Sequence, residues 1–224
     1  MSFRSVVFDL DGTLIDSLGD IAASANHALR THGFAELPSA ELAAYVGDGA
    51  GRLLLRAAGL DEGDPRLAAL HATFLDYYAE HPVDHTELCP GVEAALAACA
   101  GVPIALCTNK PRRTTLRVLE ELGLAPRFAL IVAGDDLPQK KPDPAPLLHI
   151  AEMLGCQPGE LVMVGDGAQD VHAGRNAGAR TVGVRGGIQP VERLLAAEPE
   201  VVIGTLAELP SVLEAFRAAQ RINV

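Results

Sequence analysis

The chain has 224 residues, of which 49% are hydrophobic and none is tryptophan, and it carries a net charge of −11. That length suits one large domain or two small ones. The acidic balance argues against nucleic acid or anionic membrane as a partner, so an anionic substrate would need a local positive site working against the overall field.

The first predicted element is a short β-branched and aromatic run, Phe3 with Val6, Val7 and Phe8, which reads as a buried strand. It ends in Asp9-Leu10-Asp11-Gly12-Thr13. Successive strand side chains alternate between faces, so Asp9 and Asp11 share one face if the strand conformation persists. Two carboxylates on one face repel unless a cation or a shared proton lies between them. The plainer alternative is an acidic turn after a strand, with Asp16-Ser17 as a helix N-cap. A calcium loop is excluded, because Gly12 stands fourth from Asp9 instead of sixth and a strand precedes it. Magnesium fits better, since it takes one or two carboxylates and completes its shell with water and phosphate oxygens.

From Leu18 the period becomes helical, with Ile21, Ala22, Ala25, Ala28 and Leu29 on one face and Gly33 as the stop. Further helices are expected over residues 42–45, 53–58 and around 67–77, with the glycine-rich turn Gly47-Asp48-Gly49-Ala50-Gly51 before the second. The polar stretch His81-Pro82-Val83-Asp84-His85 reads as a linker, the metal-ligand alternative for its histidines being the weaker one. Residues 17–86 thus form an expected helical module with linkers at both ends.

After Pro90-Gly91 the pattern alternates: helix 92–100, strand 102–107, helix 112–122, strand 128–133, helix 143–154, strand 161–164, helix 168–177, strand 181–184, helix 191–197, strand 201–203 and helix 206–219. Such alternation implies a parallel sheet with right-handed crossovers, a Rossmann-like α/β core with helices on both faces. The first strand belongs to this sheet, so the core is residues 1–16 with 87–224, and 17–86 is an insertion after strand one.

Ligands of open parallel sheets bind beyond the carboxyl ends of the strands. The unusual polar residues follow that rule: Asp9 and Asp11, then Thr108-Asn109, then Lys141 in Lys-Pro-Asp-Pro, then Gly165-Asp166 with Asp170. Gly165 and Gly167 suggest a dinucleotide loop, but Asp170 stands where the third glycine is needed and would face a pyrophosphate. Cys107 has no histidine evidently paired with it, so it reads as core instead of nucleophile. Cys89, Cys99, Cys107 and Cys156 show no C-x-x-C spacing, which argues against zinc and suits a reducing cytoplasm. No signal peptide or bilayer-length apolar run is read.

These four motifs, in this order, resemble those of the haloacid-dehalogenase-like superfamily of phosphotransferases, and the likeness covers essentially the whole chain. Within it the chain looks most like the bacterial phosphoglycolate phosphatases, on residues 11–17, Val46-Gly47-Asp48-Gly49-Ala50, Cys107-Thr108-Asn109-Lys110-Pro111 and residues 134–144. One departure is Gly167, where serine is common. The resemblance implies a helical cap at 17–86 and hydrolysis of a small phosphate monoester, 2-phosphoglycolate first. It implies Asp9 as nucleophile, Asp11 as acid and base, and Lys141 as charge stabiliser. Thr108 and Asn109 would hold phosphate, and Mg²⁺ would sit on Asp9, Asp11 (through its carbonyl) and Asp166, with Asp170 in support.

Other chemistries of the superfamily remain as alternatives: phosphatases of pyrophosphate, sugar phosphates or nucleotides, a β-phosphoglucomutase-like mutase, or a non-catalytic binding module. Dehalogenation is disfavoured by Asp11, and a Schiff-base phosphonate route by the absence of lysine from 17–86. For selectivity, the glycine turn at Gly49 and the side chain of Arg52 are the expected readers of a substrate carboxylate. The expected assembly is a monomer or homodimer.

Overall fold

The computed structural model describes residues 3–221, with side chains through 218. Its core is a six-stranded parallel sheet of β1 (Ser5–Phe8), β4 (Ile104–Cys107), β5 (Leu130–Val132), β6 (Leu161–Gly165), β7 (Arg180–Val184) and β8 (Val201–Ile203). Their order across the sheet is β5-β4-β1-β6-β7-β8. β1 lies at the centre, bonded to β4 on one side and β6 on the other. The chain leaves β1 towards β4 and β5 and then returns to the far side with β6, which makes the β1–β6 boundary the switch point where such sheets bind ligands.

Alternation along each strand builds the two layers. Val6 and Phe8 join Leu106, Val162 and Val164 in one apolar cluster, while Val7 joins Ala105, Leu161 and Met163 in the other. The first face is covered by α5 (Val92–Ala98), α6 (Arg112–Glu121) and α10 (Leu209–Arg221). The second is covered by α7 (Ala145–Met153) and α8 (Ala168–Ala177), with α9 (Val191–Ala196) packed on α8. Val6, Val7 and Phe8 are fully buried, each contributing about 1.5–3 kcal/mol through burial. A strand covered on both faces must read as a continuous apolar run, and this one does.

The insertion is all helical: α1 (Leu18–Thr31), α2 (Ser39–Ala43), α3 (Ala50–Ala57) and α4 (Arg66–Glu80). Ala22, Ala25 and Ala28 let α1 lie close along α4, and α4 also touches α6 of the core. The expected linkers have structure of their own. β2 (Ile15–Asp16) and β3 (Glu87–Leu88) pair antiparallel, holding the outgoing and returning connections side by side. Buried Asp20 reinforces this pairing, accepting from the His85 amide and from the Thr86 hydroxyl at 2.6 Å. His81 pairs with Asp84 at 2.8 Å in the exposed return segment.

Elements differ from expectation mainly at their ends. The last expected helix begins with a single 3₁₀ turn, Leu206–Glu208, before α10. The Asp16-Ser17 cap is also built differently. Ser17 precedes α1, but its hydroxyl donates to Asp11 Oδ1 at 2.6 Å, and Asp16 accepts from the Leu18 amide instead. Among the described residues, no helix is long and apolar enough to cross a membrane.

Candidate active site

β1 stops at Phe8, so the strand conformation does not persist through Asp11. A tight turn replaces it, in which the Leu10 carbonyl accepts from the amides of Thr13, Leu14 and Ile15. Gly12, at φ +85°, lets this turn press against the Asp166 carboxylate, where a Cβ would collide with it. Asp9 and Asp11 nonetheless line one cavity of about 40 Å³, between the sheet's carboxyl edge and the insertion.

Three carboxylates converge at the switch point. Oxygens of Asp9, Asp166 and Asp170 lie within 4.8 Å of one another, all three side chains buried. Burial, followed by the charge of Asp170, raises the Asp9 pKa to about 7. Burial and the charges of Asp9 and Asp170 raise Asp166 to about 8. Asp166 is aimed by Thr13 Oγ1 at 3.1 Å and the Ile188 amide at 3.0 Å. One cation faces the group: Lys141 Nζ stands 2.8 Å from Asp9 and donates to the Cys107 carbonyl at 2.6 Å. Burial disfavours its charge, but Asp170 and Asp9 outweigh that and hold the ammonium above its usual range. Three carboxylates against one ammonium leave excess negative charge, which suits a hard divalent cation with oxygen ligands.

The loop after β4 supplies the opposite wall. Thr108, buried at the strand end, accepts the Lys110 amide on its hydroxyl oxygen at 3.1 Å, which leaves the hydroxyl proton free to donate. Asn109 Nδ2 donates to the Lys141 carbonyl and to the Gly47 carbonyl of the insertion, each at 2.8 Å. Gly49, at φ +90°, seats the glycine turn on this loop; a Cβ there would stand 2.8 Å from Lys140 Nζ. Cys107 is excluded as a nucleophile, since burial pushes its thiol up to about 12.

The structure thus brings together Asp9, Asp11, Thr108, Asn109, Lys141, Asp166, Asp170 and Gly49. It does not bring Arg52 to them. That side chain is 59% exposed, 3.8 Å from Glu62, and outside the cavity lining. Residue 52 lies on the outward side of α3, whose inward side presents Ala50 and Leu53 to the cavity.

Two further residues line the cavity unforeseen. Lys110, 5% exposed, pairs with Asp11 Oδ1 at 2.9 Å and donates to the Tyr78 hydroxyl of α4. Burial pulls its pKa below the usual lysine value, and Asp11 opposes that. The scarcity of lysine was the available signal, since Lys110 directly follows Thr108-Asn109 and is one of three in the chain. Tyr78 gave none: the helical period marks Tyr77 beside Leu67, Leu70 and Phe74 on the apolar face, whereas the structure buries Tyr78 with Leu70 and Phe74.

A parallel sheet with Asp-x-Asp just after its central strand, a buried lysine and an acidic pair just after the neighbouring strand defines a Rossmann-like α/β protein with a cation-binding acidic site at its switch point. The profile of haloacid dehalogenase-like hydrolases matches residues 6–184, and the chain belongs to that family. It is 41% identical over 215 residues to a phosphoglycolate phosphatase of Neisseria meningitidis, covering 92% of each chain. It is 40% identical to one of Chromobacterium violaceum, covering 94% of this chain and 96% of that one. Among solved structures, a predicted phosphoglycolate phosphatase from Haemophilus somnus superposes with a TM-score of 0.86 at 27% identity, over 95% of this chain and 98% of that one.

Proposed function

We propose that the protein is a cytoplasmic, Mg²⁺-dependent phosphatase of small phosphate monoesters, with 2-phosphoglycolate as its substrate. The observation that carries the reaction is buried Asp9, held by Lys141 at 2.8 Å, with Asp11 in the same small cavity. The names of its relatives support the substrate.

Asp9 attacks phosphorus and forms an aspartyl-phosphate as the ester oxygen departs. Asp11 gives its proton to that oxygen, and then removes one from the water that cleaves the acyl phosphate. Thr108 donates its hydroxyl to a phosphate oxygen, beside the Asn109 amide. Lys141 keeps Asp9 oriented and offsets part of the charge that gathers there. Asp9, Asp166 and the Asp11 carbonyl would hold Mg²⁺, with Asp170 in support; when bound, the ion supplies the positive charge that lets a phosphate dianion approach a carboxylate. Helices α1–α4 act as the cap, closing the cavity from water.

Phosphate release from a panel of esters with Mg²⁺ tests this reading. The expected result is the highest kcat/KM on 2-phosphoglycolate, and a loss of several orders of magnitude in Asp9→Asn. Near-wild-type activity in purified Asp9→Asn would reject the covalent route. A higher kcat/KM on pyrophosphate, a sugar phosphate or a nucleotide would reject the substrate.

A further inference from the structure

We propose that Lys110, clasped between Asp11 of the core and Tyr78 of the insertion, receives the anionic end of the leaving group, a carboxylate one carbon from the ester oxygen. This rests on the phosphatase reading above and names the residue that makes it selective.

Among the described residues, Lys110 is the one cationic side chain lining the cavity. Lys141 serves Asp9 and Asp170 instead, and Arg52 faces away towards Glu62. The phosphate end of the site therefore has its own cation, and phosphate chemistry leaves Lys110 without a task. Burying an ammonium is costly unless it is matched. Its Nζ has three N–H groups; Asp11 Oδ1 and the Tyr78 hydroxyl take two, and the third has no protein partner.

Position gives the specificity. In the proposed reaction Asp11 reaches the leaving oxygen, and Lys110 Nζ is 2.9 Å from Asp11 Oδ1. A carboxylate separated from that oxygen by one carbon falls beside Lys110. Besides the glycines Gly47 and Gly49, the insertion's other side chains on this wall, Ile21, Val46, Ala50, Leu53 and Phe74, are apolar. Those side chains offer a longer polar leaving group no hydrogen bond, and an apolar surround strengthens the field of the ammonium. Tyr78, fully buried and also under the ammonium with its ring centroid 4.0 Å away, fixes where Nζ sits. Because Tyr78 belongs to the insertion, the reader is complete only when the insertion lies against the core.

The test compares 2-phosphoglycolate with ethyl phosphate, which carries a methyl group in place of the carboxylate. The readout is the ratio of kcat/KM values in wild type, Lys110→Met and Tyr78→Phe. Wild type should prefer 2-phosphoglycolate. Lys110→Met should lower that preference at least tenfold, mainly through KM for 2-phosphoglycolate, and Tyr78→Phe severalfold. A wild-type preference that survives in Lys110→Met, or equal losses on both substrates, would overturn the proposal while leaving the phosphatase reading in place. A wild type with no preference would overturn both the proposal and the substrate assignment. Should Lys110→Met fail to fold by circular dichroism, Tyr78→Phe decides by the same ratio: a severalfold fall supports the proposal and an unchanged ratio overturns it.

Discussion

Lys141 Nζ lies 2.6 Å from Asp170 Oδ1, and both side chains are 1% exposed. The other oxygen of Asp170 accepts from the Gly167 amide at 3.0 Å. The helix start after β6 thereby fixes a carboxylate, the carboxylate fixes the lysine, and the lysine reaches Asp9. Gly167 takes part through its backbone, so the absence of a side-chain hydroxyl there leaves this chain of contacts intact.

Lys141→Met should therefore damage both folding and chemistry. It leaves Asp9 and Asp170 buried without their shared cation, and breaking a buried pair of this kind costs about 3–5 kcal/mol. Urea denaturation without Mg²⁺ should show that loss, and phosphate release should fall at least ~100-fold. A loss under ~1 kcal/mol would mean that the two carboxylates are held by something else.

The acidic cluster also makes stability depend on pH and metal together. Asp9 and Asp166 have folded-state values near 7 and 8, against an ordinary 3.8. The folded protein thus binds more protons than the unfolded chain between about pH 4 and pH 8, and these two groups make stability fall as pH rises through that window. A cation bound to the ionised carboxylates removes their repulsion but must compete with protons at lower pH. Added Mg²⁺ should raise Tm more at pH 8 than at pH 6, by differential scanning fluorimetry with a chelator control. An equal gain at both pH values would separate the metal from these two carboxylates.

Most of the core was legible because its physics is local. Val6-Val7-Phe8 is apolar throughout since both faces of β1 are covered, and α5, α6, α7 and α8 are followed by the positive-φ glycines Gly101, Gly123, Gly155 and Gly178. The polar residues at strand ends were legible because a parallel sheet collects them at one edge. Three features depended on tertiary placement. The β2–β3 ribbon is two residues per strand, too short to leave a period. Tyr78 gains its polar contact only where α4 meets Lys110. Arg52 matched the chemistry of an anion reader, but its position on α3 decides the matter, and a glycine turn does not reveal which side of the next helix faces inward.

Arg52→Ala should accordingly have little effect. Its guanidinium is largely in solvent, and the ion pair with Glu62 at 3.8 Å is of the exposed kind that contributes little. The expected change in KM for 2-phosphoglycolate is less than about threefold. A tenfold rise would return Arg52 to the site, and would require α3 to turn or the insertion to shift when substrate binds.

Asn109 carries the last prediction, because one amide joins three parts of the site. Its Nδ2 donates to the Lys141 carbonyl and to the Gly47 carbonyl, while Oδ1 is buried with no partner. Two carbonyl partners fix the amide orientation, since an oxygen in the Nδ2 place would face two acceptors. Asn109→Ala removes both donors and leaves a buried carbonyl unsatisfied, a cost of about 1–3 kcal/mol. Asn109→Asp keeps the shape but sets a carboxylate oxygen against both carbonyls, so it should be less stable than Asn109→Ala despite losing no volume. Both variants release the Gly47 turn from the loop after β4, and both should raise KM more than they lower kcat. Urea denaturation and steady-state kinetics on the pair decide the point. An Asp variant as stable as the Ala variant would mean that the amide is turned the other way and that Gly47 is held to the core by other contacts.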